Sequence, residues 1–306
     1  MRRRYDPYWK GILEEVFDDF LRFVFPDADK ELNLEAGFEF LDKELGEMYP
    51  EPEKNGQTRY VDKLVKVFKH DGRERWILAH IEVQGTHDRE FPQRMFRYYY
   101  KLLDRYGSPV TAIAIFSGAD GKRMPNRFED ECLGTQLTYK YNTVSITDYT
   151  DEELERSDNP FALVLLIAKK ALRKGKGMDT VLLEEKLHLA RLLLEKGLFT
   201  KPKIKAVFNF LNNYIRFEKS DTYRIFEKQL NHITQKKNTM GILEQVAEVR
   251  YEEGLKKGEK KATQKACRLF VENLLRETKF TPAKIASLAN VSQAFVKKVE
   301  KDLAAK

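Results

Sequence analysis

Three polar side chains interrupt two apolar strand patterns near the middle of the first half of the chain. Asp62 lies in "RYVDKLVKVF", and Glu82 and Gln84 lie in "RWILAHIEVQ". Two converging carboxylates repel each other and need a positive charge between them. Mg²⁺ prefers such oxygen ligands, and it can activate water and stabilise the departing oxygen of a phosphodiester. The pattern therefore predicts a metal site at Asp62 and Glu82, with Gln84 orienting water or a phosphate.

The turn between the two strands decides whether Asp62 and Glu82 share a face. If Asp71 and Gly72 form a two-residue type I′ loop, Asp62 lies opposite Ile81 and occupies the other face. A three-residue loop with Gly72 in the left-handed conformation and a bulge places Asp62 on the face of Glu82. The metal site requires the longer loop. The alternative is that these polar residues only mark strand ends in water.

The elements around these strands predict a mixed α/β domain over residues 1–150. We expect an amphipathic helix in "DPYWKGILEEVFDDFLRFVFPD", a short strand within "GFEFLDKEL", and a helix that begins near Pro92 and stops at Gly107. Two further strands are predicted in "VTAIAIFSG" and "LTYKYNTVSI".

Helical periodicity dominates the rest of the chain. We predict a helical domain over residues 151–249 and a basic helical tail over residues 250–306. Thr281 and Ser292 are candidate N-caps of two short helices that flank "LANV". This arrangement fits a helix-turn-helix, but a packed helical hairpin gives the same pattern.

Charge and cysteine content restrict the class of protein. The chain has 55 Lys and Arg against 48 Asp and Glu, and 14 of the basic and 7 of the acidic residues lie from Arg250 onward. A polyanion should therefore interact first with the C-terminal part, although a solvated helical tail explains the same charges. Cys132 and Cys267 form no CxxC pair, which favours a reducing, cytoplasmic compartment. The longest apolar run, "FALVLLIA", is too short to span a bilayer, so we expect no membrane partner.

Several segments in order carry a resemblance to a known family. "RYVDKLVKV", "HIEVQGTHDREFPQRMFRYYYKLL" and "PVTAIAIFSG" resemble the Rpn recombination-promoting nucleases, also called YhgA-like putative transposases, of the PD-(D/E)xK nuclease superfamily. The similarity covers roughly Trp9 to Ile146. It implies a mixed sheet flanked by helices and Mg²⁺-dependent DNA cleavage, with Mn²⁺ as a substitute ion. By position, Asp62 and Glu82 would hold the metal, and Gln84 would replace the Lys of most superfamily members.

That replacement leaves two functions open. Gln offers hydrogen bonds without the charge of Lys, and E-x-Q also appears in this branch of the superfamily. The first hypothesis is a DNA endonuclease, and the alternative is a catalytically inactive nuclease-fold protein that binds DNA or acts as a scaffold. In either case we expect DNA as a nonspecific or weakly specific partner. The C-terminal helices would add DNA affinity or homo-oligomer contacts.

The resemblance also directs attention to side chains on neighbouring helices. An acid of the first helix often completes such a metal site, and the candidates here are Glu14 and Asp19. On the helix after the motif, Arg94 and Tyr98 lie one turn apart, and we expect them to support Gln84 or contact a phosphate. Ordinary surface packing explains that pair equally well.

Overall fold

The computed structural model describes residues 6–41, 61–82, 90–119, 124–173, 177–196, 199–236, 266–276, 278 and 280–304, with side chains for all of these except 6, 7, 61, 62, 80–82, 234–236, 301 and 304. The chain divides into two compact units, residues 1–243 and 244–306. The first unit contains the whole of the predicted region 1–150. It also contains residues 151–243 of the predicted helical region 151–249.

A five-stranded sheet forms the centre of the first unit, in the order β1-β2-β3-β4-β7, and β5 and β6 form a separate two-stranded sheet. The strands are β1 (Glu39–Phe40), β2 (Val61–Phe68), β3 (Glu74–Glu82), β4 (Val110–Phe116), β5 (Arg127–Cys132), β6 (Thr135–Lys140) and β7 (Asn142–Ser145). The pairs β1–β2 and β2–β3 are antiparallel, whereas β3–β4 and β4–β7 are parallel. The predicted mixed sheet is therefore confirmed.

Helices surround this sheet and continue the chain. They are α1 (Asp6–Glu15), α2 (Phe17–Val24), α3 (Ala28–Glu31), α4 (Phe91–Tyr106), α5 (Asp151–Arg156), α6 (Pro160–Lys170), α7 (Asp179–Glu195), α8 (Lys201–Tyr214) and α9 (Ser220–Lys236), with a short 3₁₀ turn at Leu34–Ala36. None of the helices in the described part of the chain combines the length and the apolar character that crossing a bilayer requires.

The two faces of the sheet bury different partners. On one face, Leu64 and Leu78 pack with Met95 and Leu102 of α4, and all four side chains are fully buried. We call this the α4 face. On the opposite face, β2 contacts the first helix, because side chains alternate along a strand. Lys63, for example, is fully buried there and pairs with Glu14.

The predicted first helix is in fact two helices. Val16 has φ −126° and ψ 32°, which ends α1 and starts α2. The hydrogen bonds from Val16 N to Ile12 O (3.1 Å) and from Phe20 N to Val16 O (2.8 Å) still bridge the break. Because Val16 is fully buried, the bend lets both helices keep their apolar sides against the core. Hydrophobic spacing alone does not reveal such a bend.

The helices after residue 150 share a core with the first two helices. Trp9 Nε1 donates a hydrogen bond of 3.1 Å to the Tyr214 hydroxyl of α8. The rings of Phe20 in α2 and Phe161 in α6 lie 5.0 Å apart, edge to face. All four side chains are buried, so the predicted helical region packs directly on the N-terminal helices.

A hairpin that the sequence pattern did not predict lies between β4 and β7. We expected "LTYKYNTVSI" to be one strand, but it divides at Tyr141 into β6 and β7, which belong to different sheets. The turn between β5 and β6 consists of Leu133 (φ 46°) and Gly134 (φ 84°). Two positive φ values in a two-residue loop indicate a type I′ turn, where Asn or Asp is far commoner than Leu. The side chain of Leu133 is fully exposed.

The second unit contains three described helices. They are α10 (residues 266–276), α11 (Pro282–Leu288) and α12 (Gln293–Ala304). Thr281 Oγ1 accepts a hydrogen bond of 3.3 Å from Lys284 N, and Ser292 Oγ accepts one of 3.2 Å from Phe295 N. Both predicted N-caps are therefore confirmed.

Candidate functional site

The hairpin between β2 and β3 has the longer of the two predicted loops. Lys69 N donates to Arg73 O at 2.8 Å, and Gly72 N donates to Lys69 O at 3.0 Å. The loop therefore comprises residues 70–72, and Gly72 has φ 81°. A left-handed third residue after a type I turn is the usual form of a three-residue hairpin loop.

This loop sets the register of the two acidic positions. Asp62 pairs with His80, and Phe68 pairs with Glu74. Residues directly opposite each other in an antiparallel pair occupy the same face, and so do residues two apart on one strand. Asp62, His80 and Glu82 are therefore all positions of the α4 face. Asp62 and Glu82 are thus diagonal neighbours on adjacent strands.

The side chains at these positions lie outside the described part of the molecule, and Gln84 lies outside it altogether. Their roles as catalytic residues and metal ligands therefore stay predictions. Across the side chains that are described, no group of three or more His, Cys, Asp and Glu is placed to hold a metal ion.

The Glu82 position lies at the carboxyl edge of the parallel strands. Glu82 pairs with Phe116, and Phe116 pairs with Ser145. Ser145 is 2% exposed, and its Oγ lies 2.8 Å from the Thr147 hydroxyl oxygen. Ser117, directly after β4, is also buried. Ligands of open α/β sheets commonly bind outside the carboxyl ends of parallel strands.

The sequence did not direct attention to these two serines. A usable signal was present, because "IFSG" and "TVSI" each end a strand with a hydroxyl residue. A buried hydroxyl at the end of an apolar strand needs a hydrogen-bond partner within the protein. A serine in a solvated turn can form its hydrogen bonds with water instead.

Helix α4 places Arg94 and Tyr98 on the side of the sheet that carries the acidic positions. The guanidinium carbon of Arg94 lies 5.5 Å from the ring centre of Phe91. Burial raises the pKa of the Tyr141 hydroxyl, and the positive charge of Arg94 partly opposes that rise. Tyr98 is only 3% exposed and belongs to the core on this face. Arg94 is thus partly buried near Tyr141, whereas Tyr98 packs in the core.

Glu14 does not lie with the acidic positions. Its carboxylate pairs with the ammonium of Lys63. Lys63 follows Asp62 directly and therefore occupies the opposite face of β2, where its ammonium also lies 5.2 Å from the ring centre of Phe40. Because Glu14 forms its ion pair on that face, the expectation that it completes the metal site is wrong for this structure.

Asp19 belongs to a separate ionic cluster. Its carboxylate lies 2.6 Å from Lys203 Nζ and 3.8 Å from an Arg22 nitrogen, and Asp18 also pairs with both cations at 2.8 Å. Burial raises the pKa of Asp19 despite its hydrogen bond with Lys203. For Asp18, burial is outweighed by Lys203 and Arg22, so its pKa is lowered. This cluster joins α2 to α8, and Asp19 is a structural residue rather than a metal ligand.

Comparisons with known proteins add no family to this description. No protein-family model matches the chain, and no curated protein or solved structure matches it either. The fold class therefore rests on the described structure, and the nuclease resemblance rests on the sequence motifs.

Proposed function

We propose that the first unit is a Mg²⁺-dependent DNA endonuclease of the recombination-promoting type, with a PD-(D/E)xK core. The observation that carries this proposal is the pairing of Asp62 with His80, which puts the Asp62 and Glu82 positions on one face. With the two-residue loop, the acids would have lain on opposite faces of the sheet.

The residues of the proposed site have distinct tasks. Asp62 and Glu82 would hold one Mg²⁺ ion, since diagonal positions of an antiparallel pair lie roughly 7 Å apart, within reach of two carboxylates. When bound, the ion supplies charge stabilisation to the phosphate oxygens and lowers the pKa of a coordinated water. Gln84 would orient the attacking water or a phosphate oxygen through its amide.

Arg94 is a described cation that suits a role beside this site. It lies on α4, which covers the same face of the sheet, and it is half-buried. A guanidinium can bind a phosphate with two hydrogen bonds and does not lose its charge at neutral pH. We assign to Arg94 the task of holding the DNA phosphate, which the neutral Gln84 cannot do by charge.

The proposal also includes the partner, the cellular location and the oligomeric contacts of the protein. We propose DNA as a weakly specific partner, a cytoplasmic location, and homo-oligomer contacts through the helical C-terminal region. The basic surplus from residue 250 onward supports the DNA partner.

A plasmid assay tests the proposal. Purified protein is incubated with supercoiled DNA and Mg²⁺ or Mn²⁺, beside Asp62→Asn, Glu82→Gln and a matched Asp130→Asn variant. Asp130 is an exposed strand residue of the β5–β6 hairpin, so its variant controls for the chemical change. We expect cleavage by the wild type and Asp130→Asn, and a loss of at least about 10²-fold in the two site variants.

Two other results would contradict the proposal. Equal cleavage by all four proteins would place the activity at another site or in a contaminant. Salt-sensitive DNA binding without cleavage by any of them would assign the alternative, an inactive nuclease fold that binds DNA.

A further inference from the structure

The second unit has its own small apolar core. One buried side chain comes from α10, and five come from α11, α12 and the turn between them: Val271, Ile285, Ala286, Ala289, Val296 and Val299. Buried alanines on one side of a helix pair allow close approach of the helix backbones. The core therefore holds three short helices in one fixed arrangement.

A tight turn joins α11 to α12. Ala289 N donates to Ile285 O at 2.9 Å, and Val291 N donates to Ala286 O at 3.0 Å. Between them, Asn290 has φ 50°, a left-handed conformation in which Asn is several-fold enriched over other non-glycine residues. Ser292 then caps α12. A four-residue turn with one left-handed residue between two short packed helices is compatible with a helix-turn-helix.

The first two turns of α12 present a polar and basic outer face, and Glu300 is exposed beyond them. Gln293, Ala294, Lys297 and Lys298 are all exposed, whereas Val296 and Val299 face the core. The carboxylate of Asp302, further along α12, lies 3.0 Å from the Arg268 guanidinium of α10. The first two turns of α12 thus present lysines, an amide and a small residue, without an acidic side chain among residues 293–298.

The position of the exposed apolar side chains indicates whether α12 suits a nucleic acid or a protein partner. The large apolar side chains that are exposed in the second unit lie elsewhere: Leu269, Phe270, Phe280 and Leu288. None of these belongs to α12. A helix with lysines and an amide outward, and no exposed large apolar residue among its described side chains, suits a groove lined by phosphates better than an apolar protein pocket.

We propose that α12 is a recognition helix that enters the major groove of duplex DNA. Lys297 and Lys298 contact phosphates, and Gln293, in the first turn, reaches base edges, where an amide pairs with adenine through two hydrogen bonds. The inference rests on the proposed function in taking DNA as the substrate. It adds that a separate unit selects the duplex on which the first unit acts.

Binding of the full chain to labelled duplex DNA in EDTA tests this inference apart from cleavage, because EDTA removes the Mg²⁺ that the proposed nuclease needs. The variant is Lys297→Gln/Lys298→Gln. The matched control is Arg224→Gln/Lys228→Gln, which removes the same charge from two exposed positions of α9. Affinity is measured as a function of salt for each protein.

Loss of two phosphate contacts should reduce the slope of log K against log salt by about 1.8. From the same relation, affinity at 0.1 M salt should fall roughly 60-fold, whereas the control should stay near the wild-type value. Thermal unfolding confirms that the variants are folded. If the double variant is unstable, Ala294→Glu replaces it, because a carboxylate at the centre of this face should also repel the phosphates.

Base reading has its own measurement. Selection from a random duplex library should enrich a short sequence with the wild type, and Gln293→Ala should lose the preference at one base position without changing the salt slope. The inference is overturned if the lysine variant and the control bind alike, if single strands bind better than duplexes, or if no sequence is enriched. Duplex recognition through α12 without cleavage by the wild type would leave this inference standing and reject the proposed nuclease.

Discussion

Lys63 and Glu14 form an ion pair on the face of β2 opposite the α4 face. Lys63 is fully buried, whereas the Glu14 side chain is 47% exposed. Glu14→Ala should therefore lower the free energy of unfolding by about 1 kcal/mol, because it removes one partner of a buried ammonium from a pair that is open to water on the Glu14 side. Lys63→Met should be close to neutral, since an apolar chain of similar volume fills the site and Glu14 can be hydrated. Urea unfolding of both variants and the double variant measures the coupling.

The same pair tests the position of Glu14 relative to the proposed site. Glu14→Gln should retain cleavage if the protein remains folded, because Glu14 lies on the face opposite the Asp62 position. Loss of cleavage at wild-type stability would show that Glu14 is a metal ligand after all.

Gly72 gives a prediction about the loop that fixes the register. Its φ of 81° lies where side chains are strained, yet an added Cβ would meet no atom within 4 Å. Gly72→Ala should therefore destabilise the protein by about 1 kcal/mol through backbone conformation alone, and Gly72→Asn by less. Chemical denaturation measures both changes.

Gly11 is the matched control for this substitution. It is an exposed glycine within α1, and an added Cβ there also meets no atom within 4 Å. Gly11→Ala should stabilise the protein by about 1 kcal/mol, because alanine is the better helix former. Equal effects of the two alanine substitutions would contradict a left-handed Gly72.

Asp179 at the start of α7 predicts a pH dependence of stability. Its carboxylate accepts hydrogen bonds from Glu218 N and Lys219 N, both at 2.9 Å, and from the Thr222 hydroxyl at 3.1 Å. Burial acts to raise its pKa, but these hydrogen bonds outweigh it and hold the pKa below the usual 3.8. Because the folded-state pKa is the lower one, the stabilisation is present above about pH 4 and is lost as the pH falls through the folded-state value.

Unfolding experiments at several pH values isolate this contribution. Asp179→Asn should lower stability by about 2 kcal/mol at neutral pH, and the difference from wild type should shrink below pH 4. A difference that stays constant down to pH 2 would show that the charge of Asp179 is not involved.

Gln84 tests the chemistry of the proposed site rather than its fold. Gln84→Ala should reduce cleavage by about 10²-fold, the usual loss on removing one positioned hydrogen-bond donor. DNA affinity in EDTA should not change, because a neutral amide contributes little to counterion release. Single-turnover cleavage and equilibrium binding measure the two quantities. Unchanged cleavage would remove Gln84 from the site.

The sequence predicted the elements more reliably than their connections. Apolar strand patterns located β2 and β3, and a continuous β-rich run located β4. Gly107 ends α4 in the left-handed conformation, as its position in the sequence suggested. The Asp71-Gly72 pair was compatible with two loops of different length. Only the cross-strand hydrogen bonds, which depend on the twist and pairing of both strands, decide between them.

The local sequence pattern did not predict the β5–β6 hairpin or the ion-pair partners of the acids in the first two helices. The hairpin turn at Leu133 breaks the residue preference of its own turn type, and β5, "RFEDEC", is too acidic and exposed to show alternation. Lys63, the partner of Glu14, lies on β2, and Lys203, which pairs with Asp19, lies on α8, far along the chain. Helical spacing shows which side of a helix is polar, but it does not show which cation lies across from each acid.

The two acidic positions lie on neighbouring strands of one hairpin, whereas Ser145 joins the same edge only after the chain has passed through α4 and the β5–β6 hairpin. Contacts between residues close in sequence form faster, because less chain entropy is lost in closing the loop. The hairpin can therefore align Asp62 with Glu82 early in folding, before the parallel strands assemble beside it. Substitutions in the late-joining segments should alter how fast the finished sheet appears, with little influence on how these two positions face each other.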